Sequence, residues 1–109
     1  MHGPLMALSP TSLTKRDLEA DGWLVAVVER WNPHARIRQD LFGFIDLLAV
    51  RAGETLGVQA TSSTNVSSRV DKIAHSPHVA AVRDAGWRLE VWGWSKKGGR
   101  WVARKVDVS

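Results

Sequence analysis

Two apolar runs joined by a short turn constrain the fold of this chain more than any other feature. FIDLLAVR occupies residues 44–51, TLGVQATS occupies residues 55–62, and Ala52-Gly53-Glu54 lies between them. Runs rich in apolar and β-branched residues with a glycine turn between them predict two paired antiparallel strands. The core of the molecule must therefore include a β-sheet.

The other segments predict helices and strands around this hairpin. Ser-Pro pairs favour helix starts, glycines favour helix ends, and valine and aromatic residues favour strands. Before the first hairpin, these signals predict a helix from Ser9-Pro10 to Gly22 and a largely buried strand from Trp23 to Trp31. After it, they predict a helix from Val66 that breaks at Ser76-Pro77 and runs on to Gly86, and then a second hairpin over residues 87–108. The predicted order is α-β-β-β-α-β-β, an α/β domain over residues 10–109 behind a flexible arm over residues 1–9.

Length and composition exclude several classes of protein. A chain of 109 residues suits one domain and excludes a multidomain enzyme. The absence of cysteine excludes disulfides and thiolate zinc sites. No run approaches the ~20 apolar residues that span a bilayer, and the start of the chain lacks the pattern of a secretory signal. We therefore expect a cytoplasmic protein with no membrane association.

Positive charge is concentrated in the later part of the chain. The net charge is −2 over residues 1–29 and +6 over residues 30–109, which suits a polyanionic partner such as DNA. Two groups of bases are candidate nucleic-acid contacts, one in the segment after the first strand and one at the turn of the last hairpin: Arg36 and Arg38, then Lys96, Lys97 and Arg100. The six tryptophans are expected to pack in the core or in an interface rather than against bases.

Asp46 is the anomaly in the first apolar run, because a buried and unpaired carboxylate is costly. Gln59, thirteen positions later, can reach the same end of the hairpin, so the two side chains can converge on one cation. Oxygen ligands of this kind suit Mg²⁺ or Mn²⁺ rather than zinc. Glu29 is the favoured third ligand and Asp40 a competing one. The alternative is structural, with Asp46 capping a loop and Gln59 bonded to the backbone.

The segment IDLLAVRAGETLGVQATS, preceded by a helix and a strand and followed by a helix, resembles the core of the PD-(D/E)XK nuclease superfamily. The similarity covers roughly residues 10–94 and is strongest to archaeal-type Holliday-junction resolvases and related phage proteins. In that family an Asp opens the second core strand and an acid-x-Lys triplet lies on the third. Asp46 matches the Asp, Gln59 falls at the second acid position and Thr61 falls at the lysine position.

The resemblance implies a restriction-endonuclease-like core in which helices flank a mixed central sheet. It also implies a metal-dependent DNA endonuclease whose substrates include branched DNA. The implied cofactor is Mg²⁺, and the implied active form is a homodimer. Asp46, Gln59 and Thr61 would occupy the catalytic motif, and the following helix offers Arg69 and Lys72 as substitutes for the motif lysine.

Two positions depart from the family pattern and leave other functions open. Gln59 adds no negative charge, so metal binding should be weaker, and Thr61 cannot replace an ammonium group. A nuclease-fold module that binds DNA without cutting it is therefore one alternative. A structural or adaptor protein that uses its tryptophans as an interface is another. Glu19 lies too near the end of the first helix to match the helix glutamate of the resolvases.

Overall fold

The computed structural model describes residues 8–109, so most of the predicted arm over residues 1–9 lies outside the described residues. The helices and strands, in chain order, are α1 (Pro10–Ala20), β1 (Leu24–Val27), β2 (Arg30–Asn32), β3 (Ile37–Gln39), β4 (Leu47–Arg51), β5 (Glu54–Ser62), a 3₁₀ turn (Ser63–Asn65), α2 (Val66–Ala74), α3 (Val79–Asp84), β6 (Arg88–Lys97) and β7 (Arg100–Asp107).

Five of the strands form a mixed sheet in the order β1-β4-β5-β6-β7. Strands β5 and β6 are parallel, with α2 and α3 between them in the chain, and the other neighbours in the sheet are antiparallel. Strands β2 and β3 form a separate two-stranded ribbon. The predicted α/β class is confirmed, and so are the two predicted hairpins β4–β5 and β6–β7.

Helix α1 covers one face of the sheet. It begins with a capping box in which Ser9 and Ser12 exchange hydrogen bonds, as the Ser-Pro pair predicted. Leu13 and Leu18 pack among buried strand residues on this face. Thr14 is also buried, and its hydroxyl accepts a hydrogen bond of 2.9 Å from the indole nitrogen of Trp94. The helix is thus fixed both by apolar burial and by a satisfied polar contact.

Helices α2 and α3 belong to the second core cluster. Val66 and Ile73 of α2 pack there with Val79 and Val82 of α3. Gly93 of β6 is needed for this approach, since a Cβ atom there would overlap the Val66 side chain and come within 3.0 Å of the Ser63 backbone. The glycine therefore lets the start of α2 lie directly on the sheet.

The predicted buried strand from Trp23 to Trp31 is wrong in its extent and its burial. Strand β1 ends at Val27 and lies at the sheet edge, where Leu24 is 74 % exposed. Trp31 belongs instead to the β2–β3 ribbon and is 55 % exposed, which contradicts its expected packing. An edge strand has one neighbour only, so an apolar run can remain half uncovered.

The other tryptophans follow the packing prediction to different degrees. Trp23, Trp92 and Trp94 are buried, whereas Trp87 and Trp101 are half-buried at the margins of the two core clusters. None of the helices in residues 8–109 has the length and apolarity of a membrane span.

Candidate metal and nucleic-acid site

Asp46 directly precedes β4 and is held by backbone hydrogen bonds on both sides. Its N–H donates to the carbonyl of Val58 at 2.9 Å, and its carbonyl accepts from the N–H of Val28 at 2.8 Å. The residue is only 4 % exposed. Asp46 is therefore held between Val28, which follows β1, and Val58 of β5, so the sheet and not a flexible loop fixes its position.

The structure brings the side chains of Asp46 and Gln59 together. Oδ2 of Asp46 accepts a hydrogen bond of 2.8 Å from Nε2 of Gln59 and another of 2.9 Å from the N–H of Ala60. The structural alternative is wrong for Gln59, whose amide binds the Asp46 carboxylate and not the backbone. Asp46 does accept from a backbone N–H, but that N–H belongs to strand β5 and not to a loop. Thr61 is buried two residues beyond Gln59, on the same side of β5 by strand alternation.

Two further carboxylates complete an acidic cluster, defined here as Glu29, Asp40 and Asp46. One oxygen from each residue lies within 4.8 Å of the others, so the cluster could hold a metal ion. Glu29 follows β1 and accepts a hydrogen bond of 3.3 Å from the Thr11 hydroxyl. The favoured third ligand and its competitor are therefore both present.

Asp40 reaches the cluster because a short loop closes on itself. Leu41 and Ile45 exchange backbone hydrogen bonds of 2.9 and 3.0 Å, so the residues just outside them, Asp40 and Asp46, are brought side by side. The sequence pattern ranked Asp40 below Glu29 because it lies in a polar connection. The usable signal is the spacing of the two acids around LFGFI, a segment with a glycine that favours a tight turn.

The crowding of acids changes the protonation of Asp46. Burial raises its pKa to about 7, and a hydrogen bond with Asp40 and the negative charges of Asp40 and Glu29 act in the same direction. The N–H of Ala60 opposes them by stabilising the charged form. Like charges this close repel one another unless a proton or a cation lies between them.

The donor set fits a divalent cation bound through oxygen. Besides the three carboxylates, Oε1 of Gln59 is buried and has no hydrogen-bond partner within residues 8–109. A buried carbonyl oxygen without a donor is costly, and a metal ion would satisfy it. The raised pKa of Asp46 and the unpartnered amide oxygen of Gln59 occur at one place, and both are expected of a cation-binding site.

Positive side chains border the cluster. Nζ of Lys72 lies 3.4 Å from Oδ2 of Asp40, and Nη1 of Arg38 lies 3.9 Å from Oε1 of Glu29. An open groove of about 650 Å³ is lined by Arg30, Arg38, Asp40 and Lys72 together with apolar neighbours. Of the two substitutes predicted for the motif lysine, the structure places Lys72 at the acids.

Within residues 8–109, the remaining predicted bases form no ion pair with the acids of the cluster. Arg69 is half-buried, and its Nε lacks a hydrogen-bond partner among the described residues. Arg36 is exposed at the ribbon turn, with a positive φ of 55°. The three bases of the last hairpin, Lys96, Lys97 and Arg100, are exposed at the β6–β7 turn, and Lys96 lies over the Trp101 ring. These bases extend the positive surface without joining the cluster.

Comparison with known proteins does not supply a family. No family model matches the chain, and no curated protein or solved structure matches it significantly. Any functional conclusion must therefore come from the chemistry of the site.

Proposed function

We propose that this protein is a metal-dependent DNA endonuclease of the PD-(D/E)XK type, similar to Holliday-junction resolvases. The observation that carries the proposal is the acidic cluster, in which a buried Asp46 bonded to Gln59 meets two more carboxylates beside Lys72. Carboxylates next to an ammonium group provide both of the charges that phosphodiester hydrolysis requires.

The chain topology supports a restriction-endonuclease-like core. Its elements would be α1, β1, β4, β5, α2 and β6, with β5 and β6 parallel. Strands β2 and β3 are then an insertion between the first two core strands, and β7 is an added edge strand. In this arrangement Asp46 opens the second core strand and Gln59 lies on the third, as the resemblance implies.

The proposed cofactor is Mg²⁺, with Mn²⁺ as a substitute, held by the acidic cluster and by Oε1 of Gln59. Hard oxygen donors favour these ions over zinc. When bound, a divalent cation lowers the pKa of a coordinated water and polarises the phosphate. The chain itself orients the ligands, since Asp46 is fixed by β1 and β5 and Glu29 by the hydroxyl of Thr11.

Lys72 takes the role that Thr61 cannot fill. Its ammonium group lies 3.4 Å from Asp40 and lines the groove, so it can neutralise charge that develops on the phosphate. Arg38 lines the same groove and would bind an adjacent phosphate. Arg36, Arg69 and the bases of the β6–β7 turn would extend this contact along DNA. A homodimer would present two such sites to the two strands of branched DNA.

A second candidate is a nuclease-fold module that binds DNA without cutting it. Gln59 and Thr61 favour it, because the site has one carboxylate fewer and no ammonium at the motif position. The two candidates differ in cleavage and agree in DNA binding, so an assay of both properties separates them.

The test is a nicking assay on supercoiled DNA and on a four-way junction, with Mg²⁺ or Mn²⁺. We expect Asp46→Asn to lose cleavage by at least about a hundredfold while it keeps DNA binding. Asp84→Asn, which removes an exposed acid of α3, is the matched control and should cleave normally. Equal cleavage by the wild type and the Asp46 variant would overturn the mechanism. DNA binding with no cleavage by the wild type would support the second candidate instead.

A further inference from the structure

Two exposed aromatic side chains lie at the groove or beside it. Trp31 is 55 % exposed and Phe42 is 43 % exposed, although three other tryptophans of this small domain are buried. Large aromatic side chains contribute most when they are buried, so exposure of two of them beside one charged groove points to a ligand with flat apolar faces.

Trp31 is placed beside the groove by the β2–β3 ribbon. It pairs directly with Arg38, so the two side chains extend from the same face of the ribbon. A neighbouring depression of about 370 Å³ is lined by Trp31, Arg30 and Gln39 among others, and the latter two residues also line the groove. The depression beside the indole ring therefore adjoins the groove through these two shared residues.

Phe42 lines the groove itself and belongs to the loop that brings Asp40 and Asp46 together. Its ring centroid is 6.3 Å from that of His78 and 6.1 Å from that of Trp87. These three rings line an apolar pocket of about 180 Å³, and Phe42 also lines the groove. Its φ of 55° is unusual for a residue with a bulky side chain, so the loop holds this ring outward at a conformational cost.

The groove carries the charges that phosphates require. Arg30, Arg38 and Lys72 line it, next to the acidic cluster. An unpaired strand offers phosphates and free base faces together, whereas a duplex hides its base faces in the stack. A positive groove with exposed aromatic rings at it and beside it therefore matches a single strand better than a duplex.

We propose that the groove binds an unpaired DNA strand, with bases stacked on Phe42 at the groove and on Trp31 beside it. This inference rests on the proposed function for what happens at the cluster, and it adds that the strand to be cut is unpaired, as at a branch, flap or gap. The ribbon and the 41–45 loop then select the substrate, while the cluster acts on its backbone.

The test measures binding without metal, so that it does not depend on cleavage. Fluorescence anisotropy in EDTA at low salt follows a labelled thymidine oligonucleotide of about 12 nucleotides, and a duplex of equal length. We expect Trp31→Ala and Phe42→Ala each to raise the Kd for the single strand by about tenfold, the usual effect of removing one stacking ring. The duplex Kd should change less than twofold in both variants.

Three further variants keep the result interpretable. Leu24→Ala removes a more exposed apolar side chain at the sheet edge and should leave both Kd values unchanged. Trp31→Phe should restore most of the affinity, because a ring remains. Phe42→Leu keeps an apolar contact for Trp87 but lacks the ring, so it should weaken binding even if Phe42→Ala disturbs the loop.

The inference and the proposed function can fail separately. Unchanged single-strand binding in the Trp31 and Phe42→Leu variants, or an equal loss on duplex, would overturn the stacking proposal whatever the cleavage assay shows. Selective loss on the single strand supports it even if the wild type does not cleave, in which case only the nuclease proposal fails.

Discussion

Charged side chains are concentrated in two regions of this molecule, an ion network near Trp23 and the acidic cluster. The two regions differ in whether each charge has a partner of opposite sign. Next to Trp23, an ion network places each charge beside an opposite one; its members are Asp21, Arg51, Glu54, Arg88 and Glu90. Hydrogen bonds from Arg51 and Arg88 lower the pKa of Glu54, whereas burial and neighbouring acids raise that of Asp46.

The difference indicates what each region is for. In the ion network, Glu54 receives hydrogen bonds of 2.9 Å from Arg51 and 2.6 Å from Arg88, and the Arg51 guanidinium lies 4.0 Å over the Trp23 ring. Such a region needs no ligand.

In the acidic cluster, negative charges face one another and the Gln59 oxygen lacks a donor within the described residues. Lys72 and Arg38 pair with Asp40 and Glu29 at the border of that cluster. The buried Asp46 has no basic partner among the described residues, however, so a proton or a further cation is favoured there.

The largest expected effect is a pH dependence of folding in the metal-free protein. The pKa of Asp46 is about 7 in the folded state and near 3.8 in the unfolded state, so folding takes up a proton between these values. The free energy of unfolding should therefore fall as pH rises, by on the order of 2 kcal/mol between pH 5 and pH 8. Urea denaturation in EDTA at the two pH values measures it.

The Asp46→Asn variant gives the control for this prediction. The introduced amide keeps an oxygen for the Gln59 and Ala60 hydrogen bonds and can donate to Asp40, so the variant should be more stable than the wild type at pH 8. The pH slope between 5 and 8 should largely disappear. A wild-type slope that persists in the variant would assign the effect to other groups and weaken the contrast between the regions.

A smaller effect is expected when Gln59 is replaced by the acid of the family motif. Gln59→Glu adds a fourth carboxylate, so the affinity for Mn²⁺ should rise by about tenfold, as judged by isothermal titration calorimetry. The same variant should be less stable without metal at pH 8, by about 1–2 kcal/mol, because the added carboxylate repels its acidic neighbours when no bound ion offsets their charge. Gln39→Glu also adds one carboxylate, at the groove but outside the acidic cluster, so it is the matched comparison and should change both quantities less than Gln59→Glu does. Equal affinities for Gln59→Glu and the wild type would place the metal away from Gln59.

The parts of the fold that sequence patterns predict are those set by neighbours in the chain. The β4–β5 hairpin follows from two apolar runs and a glycine turn, and the start of α1 follows from Ser9 and Pro10. The meeting of Asp46 and Gln59 follows in turn from the hairpin register, because Leu47 pairs with Val58 and the preceding and following residues must then be close.

The features that sequence patterns leave open or miss depend on contacts between distant segments or on exposed structure. Lys72 is predicted only as one of two substitutes and Asp40 only as a competing ligand, because the two residues are 32 positions apart and the packing of α2 on the sheet brings them to 3.4 Å. The β2–β3 ribbon lacks an alternation of apolar residues, since neither of its faces is buried, so its segment resembles a polar connection. Trp31 was assigned to the core for the same reason, because residue type alone does not reveal which strands lie outside it.

The smallest expected effect comes from the ion network and completes the comparison. Glu54→Gln removes the shared partner of Arg51 and Arg88, but solvent screens these pairs, so the loss of stability should be the smallest of these effects. Because the pKa of Glu54 is lowered from 4.5, its contribution is present above that value and is lost only as pH falls through the folded-state pKa. The variant should therefore unfold with the same pH 5 to 8 slope as the wild type, whereas Asp46→Asn should not. If Glu54→Gln instead removed that slope, the ion network and the acidic cluster would be electrostatically coupled. The contrast between a network of paired charges and a cluster that favours a cation would then be wrong.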